Sequence, residues 1–228
     1  MQRYSIIKDK FPREIVLLKG KPCFWGKCTF CDYILDNSED EGEIDKLNDE
    51  VLKEVTGVYK RLEVIDSASV FELTKHTKES IKRVVKDKGI EELVFEAHYF
   101  YRNRLDEIRD YFEVPIFFKV GVETFDNDFR NKVLKKGAGF KDYREVEKHF
   151  DSPCIMVGIK GQTREMIDRD MSIIENHFKR ATVNIFIENE TEIKRDEELI
   201  KWFREKYYYL KENPRIEILF ENTDFGVG

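Results

Sequence analysis

The stretch Glu14-Ile-Val-Leu-Leu-Lys-Gly-Lys-Pro-Cys23-Phe-Trp-Gly-Lys-Cys28-Thr-Phe-Cys31-Asp-Tyr33 joins a short apolar run directly to a loop that carries three of the chain's four cysteines. The run is too short for a helix and is closed by Lys-Gly-Lys-Pro, so it reads as a buried strand ending at a turn. Similar β-branched or aromatic runs return at 62–65, 92–95, 116–122, 154–158, 182–187 and 216–220. They are near-continuously apolar, as expected of strands covered on both faces.

Between these runs the apolar residues recur at helical spacing. The stripes are Ile44, Leu47, Val51, Val55, Val58; Ile81, Val84, Val85; Leu105, Ile108, Phe112; Phe129, Val133, Leu134; Met166, Ile167, Ile174, Phe178; and Leu199, Ile200, Phe203, Tyr207. Asp170 interrupts the fifth stripe. Strand–helix alternation repeated about six times predicts an α/β fold with a mostly parallel sheet and helical crossovers. A chain of 228 residues is short for eight such units, so an open, partial barrel of about six is expected, as a single domain over 1–228. Functional residues should then follow the carboxyl ends of the strands. The acidic stretch 38–43 reads as a flexible solvated loop, and the segment 213–228 as one that closes the barrel mouth.

Composition narrows the function classes. No apolar run is long enough to cross a bilayer, and the N-terminus shows no secretory signal pattern, so a cytoplasmic location away from membranes is expected. The net charge is −6 and acidic and basic residues interleave, without the basic stripe that duplex nucleic acid requires. The expected partner is a small molecule rather than nucleic acid.

Three cysteines within nine residues of a cytosolic chain point to metal or redox chemistry rather than a disulfide framework. Three thiolates on a compact loop, with Gly20 and Gly26 to let it wrap, can bind three irons of a [4Fe–4S] cluster and leave the fourth open to a small chelating molecule. Two other readings stay open on these residues alone. A structural zinc site would take its fourth ligand from Cys154 or a histidine, making the chain a zinc-binding interaction module. A Cys28-Thr-Phe-Cys31 redox pair would leave Cys23 idle.

The loop resembles the cluster loop of the radical S-adenosylmethionine (SAM) superfamily, although its first gap is one residue longer than usual, CxxxxCxxC against CxxxCxxC. Phe30, before the last cysteine, matches the family pattern too. Val120-Gly-Val-Glu-Thr-Phe-Asp-Asn-Asp-Phe-Arg130-Asn-Lys-Val-Leu-Lys-Lys-Gly137 is similar to a further family segment, and Met156-Val-Gly-Ile-Lys-Gly-Gln-Thr163 to its glycine turn, with Lys160 where proline is usual. The resemblance implies a partial (β/α)6 TIM-like barrel with the cluster loop at 20–33. It implies that Cys23, Cys28 and Cys31 hold the catalytic [4Fe–4S] cluster. It also implies that Phe30, Glu123, Gly158 and a basic partner, Arg130 or Lys135, attend SAM, with an electron donor such as flavodoxin or ferredoxin.

Within the superfamily the whole chain most resembles the queuine lyases, through "CFWGKCTFCDY", "GVETFDNDFRNKVLKKG" and the ending "ENTDFGVG". That resemblance implies a 5′-deoxyadenosyl radical taking hydrogen from queuine or a related deazapurine, followed by C–N cleavage and release of the 7-aminomethyl-7-deazaguanine base. The polar residues placed after the strands suit such a substrate: Asp66 and Ser69, Glu96, His98 and Phe100, Glu188 and Asn189, and Asp224. A carboxylate can accept from a guanine-like N–H pair, Phe100 can stack, and His98 can move a proton or bind a diol. Helix capping and solvation are the plainer roles for each. Rival functions are an enzyme resembling 7-carboxy-7-deazaguanine synthase and a radical SAM activase acting on a partner protein.

Overall fold

All seven apolar runs form strands in the computed structural model, which describes residues 2–220 and 225. An eighth strand precedes them. In chain order the elements are β1 (Tyr4–Ile7), β2 (Arg13–Leu18), α1 (Glu41–Leu52), β3 (Arg61–Asp66), α2 (Lys75–Lys88), β4 (Glu92–Glu96) and α3 (Leu105–Phe112). There follow β5 (Ile116–Glu123), α4 (Tyr143–Glu147), β6 (Ser152–Val157), α5 (Arg164–His177), β7 (Ala181–Ile185), α6 (Glu197–Lys206) and β8 (Ile216–Leu219). Each strand from β2 to β7 is thus followed by one α-helix. The chain divides into two units. The first takes in the chain up to Gly26 with Tyr33–Ala97 and Asn103–Phe118; the second takes in Lys27–Asp32, His98–Arg102 and the chain from Lys119 on.

In the first unit β2, buried at all six residues, pairs in parallel with β3, and β3 with β4. The unexpected β1 runs antiparallel along β2, from Tyr4 opposite Val16 to Ile7 opposite Arg13. Its four residues, Tyr-Ser-Ile-Ile, are too few to show a period, and only pairing with β2 makes them a strand. The acidic stretch 38–43 is not the loop its composition suggests. The Asp40 carboxylate accepts from the backbone N–H groups of Gly42 (2.9 Å) and Glu43 (3.1 Å), which caps α1 and puts Glu41 and Glu43 in its first turn, where the helix dipole favours negative charge. The same helix stops at Leu52, so Val55 and Val58 fall outside it, and Val58 is exposed.

Glu14 carries the polar load at the start of this unit. It lies within buried β2, and its carboxylate accepts from Thr56 N–H (2.7 Å), Gly57 N–H (2.7 Å), the Thr56 hydroxyl (3.0 Å) and the Tyr4 hydroxyl (2.7 Å). Burial by itself pushes the Glu14 carboxyl up, but these hydrogen bonds together outweigh it and hold the group below its usual value.

In the second unit β5, β6, β7 and β8 pair in parallel in that order, with Val120 beside Pro153, Cys154 beside Thr182, and Asn184 between Met156 and Leu219. Thr163 caps α5 through Met166 N–H, and Asp196 caps α6 through Leu199 N–H. The stripe around Phe129 is a wide turn over Phe129–Val133 rather than an α-helix. Arg130 is the cause. Its guanidinium is fully buried and donates to the carbonyls of Thr124 (2.9 Å), Ala138 (3.2 Å) and Phe140 (2.7 Å), winding the chain around one cation. Asp170, the polar break in the α5 stripe, is buried too and accepts from Phe125 N–H at 2.8 Å.

The depressed Glu14 carboxyl makes a pH prediction. Its stabilisation is complete above the ordinary carboxylate range and is lost as pH falls through the lower folded value. Glu14→Gln should therefore cost about 1–3 kcal/mol at neutral pH, the range for breaking such a buried network. In urea denaturation the gap from wild type should narrow below about pH 4; a gap that does not change with pH would show that Glu14 is not the ionised acceptor.

Candidate functional site

The loop that begins at Gly20 is tied down in each unit by different means. In the first unit, Gly20 N–H donates to the Ser67 hydroxyl (2.9 Å) and Lys21 N–H to the Glu72 carbonyl (3.1 Å), so the loop's start is fastened to the turn that follows β3. Cys23 lies partly buried beyond it. Gly26 sits at φ +58°, where a side chain would be strained and a Cβ would lie 3.4 Å from the Cys23 carbonyl.

The same turn holds Asp66 and Ser69, both buried. The Asp66 carboxyl accepts from Ala68 N–H at 2.7 Å. Burial drives it well above the usual carboxylate range, and the neighbouring Glu72 and Glu96 carboxylates add to the effect against the Ala68 hydrogen bond. Burial thus favours the protonated form of Asp66. The Ser69 hydroxyl, 3% exposed as a residue, has no hydrogen-bond partner among the described residues. Glu96, at the end of β4, is half-buried.

In the second unit the rest of the loop is held by one aromatic ring. Phe30 is 2% exposed within an apolar cluster formed with Phe129, Leu134, Met156, Ile159 and Phe186, and Cys28 and Cys31 pack against that cluster. Three hydrogen bonds fix its backbone: Thr29 N–H to Leu134 O (3.0 Å), the Thr29 hydroxyl to Val133 O (2.9 Å), and the Asn189 amide to Phe30 O (2.7 Å). Asn189 is itself set by Thr191, whose N–H and hydroxyl donate to the Asn189 side-chain oxygen at 3.0 and 2.7 Å. Expected as a substrate ligand, Asn189 instead clamps the cysteine loop from the segment after β7.

Glu123 ends β5 at φ +64° and is buried. Its ion pair is with Lys136 at 2.6 Å, and the Lys136 ammonium also lies 5.5 Å from the centre of the Phe30 ring. The two basic residues expected to attend SAM are placed differently. Arg130 spends its guanidinium on loop carbonyls, and Lys135 is exposed, at φ +49°. The spacing could not separate four basic residues within seven positions; the left-handed turn at Lys135 lies between the exposed lysine and the one that meets Glu123.

His98 is likewise committed. Its Nδ1 accepts from Phe100 N–H (3.1 Å), which leaves Nε2 to donate to the Lys136 carbonyl (2.9 Å). Burial first, and then the Lys136 charge, lower its pKa to about 4. A neutral ring with both nitrogens on backbone partners orders the turn after β4 and does not shuttle protons near pH 7. Phe100 beside it is exposed. Glu188, also exposed, accepts from Arg195 N–H at 3.1 Å. Asp224 lies outside the described residues.

Gly158 serves packing. It adopts φ +97°, and a Cβ there would fall 2.4 Å from Cγ1 of Ile200 on α6. Gln162, which the sequence reading passed over, ties the turn: its side-chain oxygen accepts from Gly158 and Ile159 N–H (both 2.9 Å) and its amide donates to Met156 O (2.8 Å). Asn184 was missed as well. It is a single amide in the otherwise apolar run Val183-Asn-Ile-Phe186, and that polar break was the signal.

None of the four cysteines is in a disulfide, and Cys154 is buried on β6 as expected. Among the described residues no three His, Cys, Asp or Glu side chains converge as the ligands of one metal ion. A four-iron cluster makes a different demand, since each thiolate binds a separate iron. Among the described residues no helix is long and apolar enough to cross a membrane.

The chain is 52% identical to a queuine lyase from Clostridium spiroforme, whose structure is bound to SAM and queuine; the match covers 100% of this chain and 99% of that one, with a TM-score of 0.95. SuiB from Streptococcus suis shares the fold at a TM-score of 0.56 and 11% identity, over 91% of this chain and 49% of that one. An uncharacterized protein of Methanocaldococcus jannaschii is 24% identical over 144 residues, which are 54% of this chain and span 38% of that relative's length. No family model matches the chain.

The Gly158 contact is testable. Gly158→Ala should destabilise the protein by about 1–3 kcal/mol, the usual cost of overpacking a tight site. Thermal denaturation checks it, and an unchanged Tm would mean that α6 can retreat without loss.

Proposed function

The chain belongs to the queuine lyase family, and from that membership we propose that it cleaves the C–N bond of queuine and releases 7-aminomethyl-7-deazaguanine. The observation that carries the reading is identity of 52% along the full length of both chains to a lyase bound to SAM and queuine. The strand–helix order from β2 to α6 supports a partial (β/α)6 TIM-like barrel of the radical SAM type as its scaffold.

The residues present fit the cofactors. Cys23, Cys28 and Cys31 would hold three irons of a [4Fe–4S] cluster, and the apolar backing behind Cys28 and Cys31 keeps water from that side of it. Glu123 and Lys136, a buried pair of opposite charge, match the ammonium and carboxylate of SAM's methionyl group. Bound there, the cluster and SAM would supply the radical chemistry that removes a hydrogen atom from the substrate.

What the chain itself contributes is position and polarity. Phe30, buried and pinned by Asn189, fixes the backbone between Cys28 and Cys31. Asp66, whose burial favours its protonated form, is followed three residues on by the Ser69 hydroxyl, which has no partner among the described residues. These two groups suit the hydroxyls of the cyclopentenediol or the acceptors of the base. His98 acts indirectly, by donating to the Lys136 carbonyl and so holding the segment that presents the Lys136 ammonium. The electron comes from a donor such as flavodoxin or ferredoxin, and a cytoplasmic setting suits that supply.

The deciding experiment is anaerobic. Reconstituted protein with dithionite, SAM and queuine should yield 5′-deoxyadenosine together with the aminomethyl-deazaguanine base by mass spectrometry; deoxyadenosine without the base discards the substrate. Cys23→Ala, Cys28→Ala or Cys31→Ala should lose cluster absorbance and turnover together. Lys136→Met leaves Glu123 buried without its cation and should raise KM for SAM on the order of tenfold or more, with cluster content retained. An unchanged KM would remove Lys136 from the SAM site.

A further inference from the structure

Asn184 is 7% exposed on β7, and its side-chain oxygen accepts no hydrogen bond among the described residues. A buried polar atom left without a partner costs stability, and such atoms in folded proteins are few. The face of the sheet on which Asn184 lies follows from register. Its neighbours across the ladder are Met156 on β6 and Leu219 on β8. Side chains at opposed positions share a face, so Asn184 stands on the face of Met156. Met156 belongs to the apolar cluster that seats Phe30 and backs Cys28 and Cys31. Val183 and Ile185 alternate to the opposite face. The amide thus stands two residues beyond Thr182, flanked across the ladder by apolar side chains, on the sheet face that carries the cysteine loop.

We propose that Asn184 is a substrate-recognition residue, its side-chain oxygen accepting a hydrogen bond from an N–H group of the bound deazapurine. The proposal rests on the queuine-cleaving reading and adds a residue to it. Queuine is rich in N–H donors, on its guanine-like edge and on its aminomethyl nitrogen. An acceptor in an apolar wall discriminates strongly for such a ligand, because without the ligand's N–H it stays unsatisfied. Leucine has the same branching at Cγ without the acceptor, so an amide that served the fold should be missed by it, whereas an acceptor kept for a ligand should not.

The test uses the reconstituted holoenzyme and the variant Asn184→Leu. Tm is expected to hold or rise, SAM affinity by equilibrium dialysis to stay as in wild type, and KM for queuine to rise about tenfold or more, the effect of one buried hydrogen bond. Asn184→Asp, which keeps an acceptor oxygen in place, should have a queuine KM closer to wild type than the leucine variant. An unchanged queuine KM in the leucine variant overturns the proposal, as does the reverse ranking of the two variants. A leucine variant that fails to fold or loses SAM affinity makes the amide structural and overturns it too. Wild-type turnover separates the two levels: wild type inactive on queuine discards the queuine reading, whereas active wild type beside an unaltered leucine variant discards Asn184 alone.

Discussion

The hydrogen bond from the Asn189 amide to the Phe30 carbonyl, 2.7 Å long, joins residues 159 positions apart and fixes the backbone between Cys28 and Cys31. Loops bearing reactive ligands are mobile unless something holds them. Here the Phe30 ring supplies the apolar anchor and Asn189 the directional one, and Thr191 orients Asn189 in turn. Thiolates that must meet separate iron atoms need that order in the loop before any metal arrives, since ordering it on binding would weaken the affinity.

Around this anchor the second unit spends several polar groups in its interior, each for a different end. Arg130 is satisfied by carbonyls and stacked 3.6 Å from the Phe140 ring centre, a structural use of charge. Asp170, its carboxyl pushed up to about 7 by burial, accepts from Phe125 N–H and so supports the turn directly after Glu123. Glu123 and Lys136 neutralise one another where an unpaired charge would be prohibitive. A pair of that kind can exchange partners with a zwitterionic ligand at small net cost, because the same number of charges stays paired. The first unit follows a parallel logic at the end of β3, where burial pushes the Asp66 carboxyl up and favours its uncharged form.

The seven short apolar runs were legible because a strand covered on both faces is near-continuously apolar, and no neighbour is needed to see it. What escaped was non-local. Tyr4–Ile7 becomes a strand only beside β2. Phe129–Val133 has helical spacing but winds wide around a cation whose three carbonyl partners lie up to ten residues away. His98 looked like a proton carrier until both ring nitrogens met backbone partners, one of them 38 residues distant.

The sequence by itself determined the cysteine spacing, the strand–helix rhythm and the family resemblance, because each is a property of residues read in order. Only the tertiary structure decided which basic residue faces Glu123, that Asn189 holds the cysteine loop, and that Asn184 lies buried with an unsatisfied oxygen. Those are facts about distance and burial. Arg130, Lys135 and Lys136 are chemically near-equivalent in a string of letters, and one turn at positive φ separates the lysine that points inward from the one that meets solvent.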